Sequence, residues 1–301
     1  MANKCIITGA TGYIGSHVLK HLLSKGWDIH VIADPRFGYD NIKDVLDAID
    51  VFEYDGNIQF LCEYFQRTQA DVVFHLAAAV ITNYKPEQIP VLIQSNIQFG
   101  TEVLEAMKTS CTRLFVGTGS YWQNYNSEGY NPVDLYAATK EAFEQMIQYY
   151  VDAHQFKAIT LKLFDVYGED DSRPKIWNVL KEIAGTDRSL DVSPGEQFLD
   201  LVHISDVSTA YECAFEYLKT VDYPCREVYG VFTGDRMTLK EAIQTFEYYS
   251  SQNINVNFGG KQYKDREVMN PISSLSKVPG WKHLVHPRKG LEILARGRCS
   301  Q

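Results

Sequence analysis

The chain has 301 residues, 45% of them hydrophobic and 22% charged, with a net charge of −9 that forms no long like-charge block. Such a chain buries a large core in one or two domains, and its acidic balance disfavours nucleic acid or an anionic membrane as partner. Six cysteines, at 5, 62, 111, 213, 225 and 299, make no C-x-x-C pair and have no histidine at ligand spacing; they read as reduced thiols with no metal site.

The N-terminus sets the pattern. Cys5-Ile6-Ile7-Thr8 is a short apolar, β-branched run and predicts a buried strand. Gly9-Ala10-Thr11-Gly12-Tyr13-Ile14-Gly15 follows, and then Val18, Leu19, Leu22 and Leu23 recur at helical spacing until Gly26. A glycine-rich turn between a strand and a helix gathers bare backbone N–H groups at the positive helix end, which suits a pyrophosphate. Side chains at Gly9, Gly12 or Gly15 would hold the anion away or push the helix from the strand, and the spacing is G-x-x-G-x-x-G. Met1 leads almost directly into this strand, leaving no room for a signal peptide. No apolar run is long enough to span a membrane, so a cytoplasmic protein is expected.

Strands are predicted at Ile29–Ile32, Val72–Leu76 and Leu114–Val116, with amphipathic helices over 57–69, 89–109 and 134–154. This alternation predicts an α/β fold of the Rossmann type, a doubly wound parallel sheet covered on both faces. Tyr136-Ala137-Ala138-Thr139-Lys140 opens the third helix behind Asp134, its expected cap. Residues four apart share a helix face, so the Tyr136 hydroxyl and the Lys140 ammonium converge on one point. A nearby ammonium favours tyrosinate and brings the phenol toward useful proton exchange. Beyond residue 168 the alternation breaks down. Helices are expected at 177–183, 205–217 and 238–251, strand-like residues at 198–204 rejoin the sheet, and a short strand lies near 254–258. Residues 1–167, with 198–231 returning to them, are expected to form the dinucleotide-binding domain, and 168–197 with 232–301 a smaller substrate-binding lobe.

These motifs, with Asp71 to Ala78, Ser95-Asn96-Ile97, Phe115 to Ser120, Val166-Tyr167-Gly168 and Asp200 to Val207, resemble the extended short-chain dehydrogenase/reductases. The similarity is to their nucleotide-sugar epimerase, dehydratase and ketoreductase group. The resemblance implies a catalytic set of Ser120, Tyr136 and Lys140, with Thr118 as fallback for the serine. Ser120 would hold the substrate oxygen, Tyr136 would give it a proton, and Lys140 would hold the nicotinamide ribose. It implies cofactor contacts from Gly9, Thr11, Gly12, Tyr13, Ile14, Gly15, Leu76, Ala77, Ala78, Asn96, Phe164 and Val166. Asp55 resembles the family's adenine contact, or serves as a turn aspartate. Ser120, Tyr121, Asp165, Arg173, Lys175 and Arg236 are the candidate substrate contacts, the three cations for its pyrophosphate.

Two departures bear on the reaction. Gly119, Tyr121 and Trp122 stand where 4,6-dehydratases of the group carry an acidic pair. The short connection from Ser120 to Tyr136 is similar to that of 4-ketoreductases of the CDP-abequose and CDP-paratose synthase type. The expectation is therefore reduction of a nucleotide-linked 4-ketodeoxysugar; a 4-epimerase holding NAD tightly is the alternative, and a non-catalytic dinucleotide sensor a third reading. At the end of the second strand, Asp34 favours NAD(H), whereas Ala33 in the usual carboxylate position and Arg36 beyond favour NADP(H). NADP(H) is preferred for a reductase. Leu199 replaces the arginine the family often places before Asp200, and Asp165 its usual asparagine. A homodimer is expected through the helices near 97–108 and after Asp134, with Leu135, Phe143, Met146 and Ile147 as its candidate face.

Overall fold

A computed structural model describes residues 2–126, 129–271 and 274–297; Met1 and Cys299 lie outside them. The chain begins β1 (Lys4–Thr8), α1 (Tyr13–Ser24), β2 (Asp28–Ala33), β3 (Asp50–Glu53), α2 (Ile58–Thr68) and β4 (Val72–His75). It continues through α3 (Ile89–Ile93), a π-helical turn at Gln94–Gln98, α4 (Phe99–Lys108), β5 (Leu114–Ser120), α5 (Leu135–His154) and β6 (Lys157–Leu163). After β7 (Asp165–Tyr167), α6 (Ile176–Ile183), β8 (Ser189–Val192), β9 (Phe198–Leu199), β10 (Leu201–His203) and α7 (Ile204–Thr220), β11 (Cys225–Val231) completes the main sheet. The last elements are β12 (Met237–Thr238), α8 (Leu239–Ser250), β13 (Asn255–Phe258) and α9 (Pro287–Arg296).

The main sheet runs β11-β6-β5-β4-β1-β2-β3, and every pairing in it is parallel. Strand order reverses between β1 and β4, which leaves a crevice beyond their carboxyl ends, where α/β sheets bind ligands. Alternation along each strand builds the two faces. Cys5, Ile7, Phe74 and Val116 join α1 and α7 on one side, with Leu19, Leu22, Tyr211 and Phe215. Ile6, Val73 and Phe115 join α2, α4 and α5 on the other, with Phe65, Leu104, Phe143 and Ile147. Most of these side chains are fully buried, each contributing about 1.5–3 kcal/mol relative to exposure. A third core cluster gathers Tyr167, Trp177, Leu180, Ile243, Phe246 and Leu291 from residues beyond the sheet.

Several expectations are corrected. Residues 198–204 do not rejoin the main sheet: β9 pairs antiparallel with β12, and β10 pairs parallel with β7. The strand that does return is β11, an edge strand whose half-exposed Arg226, Glu227 and Tyr229 conceal it. β3 and β6 were equally hidden, β3 by its brevity and acidic ends, β6 by Lys157 and Lys162. The helix expected over 89–109 contains a π-helical turn around Asn96. The stripe expected to face a partner divides, since Phe143 and Ile147 are core residues whereas Met146 is exposed. Gly100 exists for Phe143, whose ring would lie 2.4 Å from a Cβ at that position.

Among the described residues no helix is long and apolar enough to cross a membrane. No cluster of three or more metal-ligating side chains occurs there either, and the five described cysteines are free. Phe143→Ala should cost about 3–5 kcal/mol in denaturant unfolding through the cavity it leaves. Met146→Ala, on the same helix, should cost less than about 0.5 kcal/mol.

Candidate active site

The glycine loop leaves β1 at the strand-order reversal. Gly9 has φ +70°, and a Cβ there would lie 2.5 Å from the Ala77 nitrogen, so the loop backbone rests directly on the chain leaving β4. A Cβ on Gly15 would lie 2.1 Å from the Gly9 oxygen, so the first turn of α1 presses on the loop that precedes it. Gly12 differs: its nearest obstruction is 3.3 Å away. It is the N-cap of α1, with no side-chain cap and no acidic residue in the first turn. Free amide hydrogens at a positive helix end, with no competing carboxylate, fit a bound pyrophosphate. The Thr8 hydroxyl meets His75 Nδ1 at 2.9 Å and accepts from the Ala77 N–H at 3.3 Å, locking the ends of β1 and β4 together. Burial, aided by Lys140, lowers His75 to about 3, so its ring is neutral.

Leu76, Ala77 and Ala78 line the chain leaving β4. Asn96 is buried and acts on this segment: it accepts from the Ala79 N–H at 2.7 Å and donates to the Ala79 carbonyl at 3.1 Å. It also donates to the Thr139 hydroxyl at 2.9 Å, joining the segment to α5. The π-helical turn aims this amide inward; such turns often occur at functional sites.

Ser120 ends β5, and Tyr136 stands in the first turn of α5, which is capped by Asp134 accepting from the Ala137 N–H at 2.8 Å. A helix that follows a parallel strand starts at the sheet's carboxyl edge, so both residues stand beside the glycine loop. Thr118, the fallback, is already engaged. Its hydroxyl donates to the His75 carbonyl at 2.9 Å and shares a 2.6 Å hydrogen bond with Tyr211, a residue that no sequence motif singled out. Tyr136 and Lys140 are both buried. The phenol is held above its ordinary value, first by burial and then by the Asp134 charge, with Arg173 opposing. Among these groups, desolvation outweighs the nearby positive charge of Arg173. Lys140 falls to about 8 through burial, which the Glu144 charge opposes.

On the adjoining side, the Tyr121 ring stacks on Phe164 at 4.7 Å, and its hydroxyl donates to Asp165 at 3.0 Å. The other Asp165 oxygen accepts from the Asp200 N–H at 3.1 Å. Burial raises Asp165 to about 6. Lys175 donates to the Val166 carbonyl at 3.1 Å, and burial lowers it to about 8. Tyr121, Phe164, Asp165, Val166 and Lys175 are thus brought together. Asp200, behind Leu199, spends its carboxylate on Thr233 and Gly234, so it organises the chain after β11.

The remaining cations are placed differently from one another. Arg173 pairs with Asp171 and lies 4.5 Å over the Tyr13 ring, against the glycine loop. Arg236 is exposed and bonds Asn270. Arg36 forks onto Asp34 at the end of β2, and Asp55 accepts from the Asn57 N–H at 2.9 Å, the turn role. Thr11 is held through its carbonyl by Asn41 at 2.8 Å, a tie with no counterpart in the motifs.

The chain is 26% identical over 294 residues to CDP-abequose synthase of Salmonella muenchen, covering 96% of each. It is 23% identical over 311 residues to UDP-glucose 4-epimerase of Lacticaseibacillus casei, covering 92% of this chain and 90% of that one. Among solved structures, UDP-glucuronic acid 4-epimerase from Bacillus cereus, in complex with UDP-glucuronic acid and NAD, superposes with a TM-score of 0.83. The two are 23% identical, and the match covers 97% of this chain and 98% of that one. The family described as NAD dependent epimerase/dehydratase matches residues 5–225. With most of its length so matched, on a parallel sheet whose glycine loop and tyrosine helix meet at one edge, the chain belongs to the NAD dependent epimerase/dehydratase family.

Proposed function

We propose that this protein reduces the 4-keto group of a CDP-linked deoxyhexulose, with NADPH as reductant. The observation that carries the reading is the end-to-end similarity to CDP-abequose synthases, which spans the substrate-side residues as well as the dinucleotide fold. The bound dinucleotide would supply hydride to the ketone carbon.

The chain's own residues do the rest. The glycine loop and the α1 N-terminus hold the pyrophosphate. Ser120 would donate a hydrogen bond to the ketone oxygen, where negative charge would develop. Tyr136 gives that oxygen its proton. A buried phenol held above its ordinary value is fully protonated at neutral pH, which is the form a reduction consumes. Lys140, lowered to about 8, keeps its proton through the neutral range and replaces the charge that burial would otherwise deny the site.

Asp34 and Arg36 support NADPH. Both Asp34 oxygens are bound by the Arg36 guanidinium, which offsets the negative charge that would repel a 2′-phosphate. Arg36 itself is exposed, and Ala33 offers no carboxylate to the ribose.

Purified protein is tested with CDP-, dTDP-, UDP- and GDP-linked 4-keto-6-deoxysugars, following loss of reduced-nicotinamide absorbance. Stoichiometric NADPH oxidation with the CDP sugar supports the reading. Tightly bound NAD and interconversion of a sugar without added reductant would replace it with the epimerase. Tyr136→Phe should bind NADPH normally but lose about 100-fold or more in kcat. Arg36→Ala should raise KM for NADPH about tenfold, the loss of one charge-assisted hydrogen bond. KM for NADH should change less than about twofold.

A further inference from the structure

Behind Ser120 lies a buried polar network that no sequence motif announced. Ser120 caps a single helical turn, Tyr121–Gln123, and its N–H donates to the Gln123 side-chain oxygen at 2.9 Å. Gln123 is completely buried. Its amide nitrogen donates to Glu141 at 2.8 Å and to Glu144 at 2.7 Å, both on α5. The second Glu144 oxygen accepts from Arg226 of β11 at 2.9 Å, and Arg226 donates onward to Gln148 at 2.9 Å. Gly119 makes room, since a Cβ there would lie 2.9 Å from the Gln123 oxygen. One carboxamide therefore joins the Ser120 turn to the helix that carries Tyr136 and Lys140.

We propose that Glu144, held by Gln123 and Arg226, is a positioning residue that supplies the buried counter-charge for Lys140 and ties Lys140's helix to Ser120. The inference rests on the site reading above and assigns it a charge balance. Glu144 lies one helical turn beyond Lys140 on the same face. Its two oxygens accept one hydrogen bond each, from the Gln123 amide and the Arg226 guanidinium. The groups around Lys140 are few. Tyr136 and Glu144 come from its own helix; His75 from β4 is neutral; Arg226 from β11 acts through Glu144; Lys162 from β6 is 4.0 Å from Glu141. Among the described residues, the charge of Glu144 opposes the desolvation that lowers the amine to about 8.

The sign follows. Lys140 is charged below about 8 and loses its proton above it. Removing Glu144's charge moves that midpoint down, and removing Arg226's moves it up. A merely structural contact would not give opposite signs. Protein isotope-labelled at the lysine ε-carbon is titrated by NMR, Lys140 being the resonance lost in Lys140→Met. Glu144→Gln, which keeps the hydrogen bond to Gln123, should lower the midpoint by about one unit, and Arg226→Gln should raise it by about half a unit. With a turned-over substrate, Glu144→Gln should lose about fivefold in kcat near pH 8 and little near pH 6, at unchanged KM for dinucleotide. Midpoints that stay put in both variants, or move in the same direction, overturn the proposal. The titration needs no sugar nucleotide: an inactive wild-type enzyme would count against the ketoreductase alone, and unmoved midpoints in an active one against Glu144 alone.

Discussion

The contact on which the site depends is backbone against backbone. Gly15 presses on the Gly9 carbonyl, and Gly9 presses on Ala77. Neither approach tolerates a Cβ, so α1 and the chain leaving β4 are drawn to the same point at the strand-order reversal. The bare N-terminus of α1 then faces the crevice, and the Thr8–His75 hydrogen bond fixes the separation of the strands beneath it. From there Asn96 carries the constraint to α5 through Thr139. The dinucleotide cradle and the Tyr136–Lys140 helix are therefore not independent features; a single chain of buried hydrogen bonds sets one against the other.

Burial decides the chemistry of this edge. Each ionisable group that matters is shifted first by loss of water: Tyr136 upward, Lys140 to about 8, Lys175 to about 8 and Asp165 to about 6. A free tyrosine beside a free lysine would exchange protons differently. Here the phenol keeps its proton, and the lysine keeps its own only because the desolvation is partly offset.

What was legible in the sequence follows physical locality. The glycine loop, the capped tyrosine helix and the apolar central strands announce themselves, because their signals lie within a few residues. β11 and β6 were concealed because one face or end of each carries charge: Arg226 serves Glu144 and Lys162 serves Asn124. The split of β9 and β10 away from the sheet depends on Asp200, whose carboxylate is spent on Thr233 and Gly234 far along the chain. Gln123 and Glu144 gave only a faint local hint, a glutamate four residues after Lys140. Their meaning arises from Arg226, 82 residues beyond Glu144.

The three candidate guanidiniums share a further property. Arg36 is paired with Asp34, Arg173 with Asp171, and Arg236 with Asn270. Two of the three already face a carboxylate, in a chain of net charge −9. A phosphate reaching one of these guanidiniums would have to displace an internal partner. Exchange lowers net affinity, since an existing charge-assisted bond is lost for each one gained. It raises discrimination, because a ligand lacking a phosphate at the right place leaves the internal pair intact and gains nothing. Arg173 illustrates the coupling most directly. It lies over Tyr13 in the glycine loop while its charge also acts on Tyr136, so a phosphate that drew it away would alter the environment of the phenol as well.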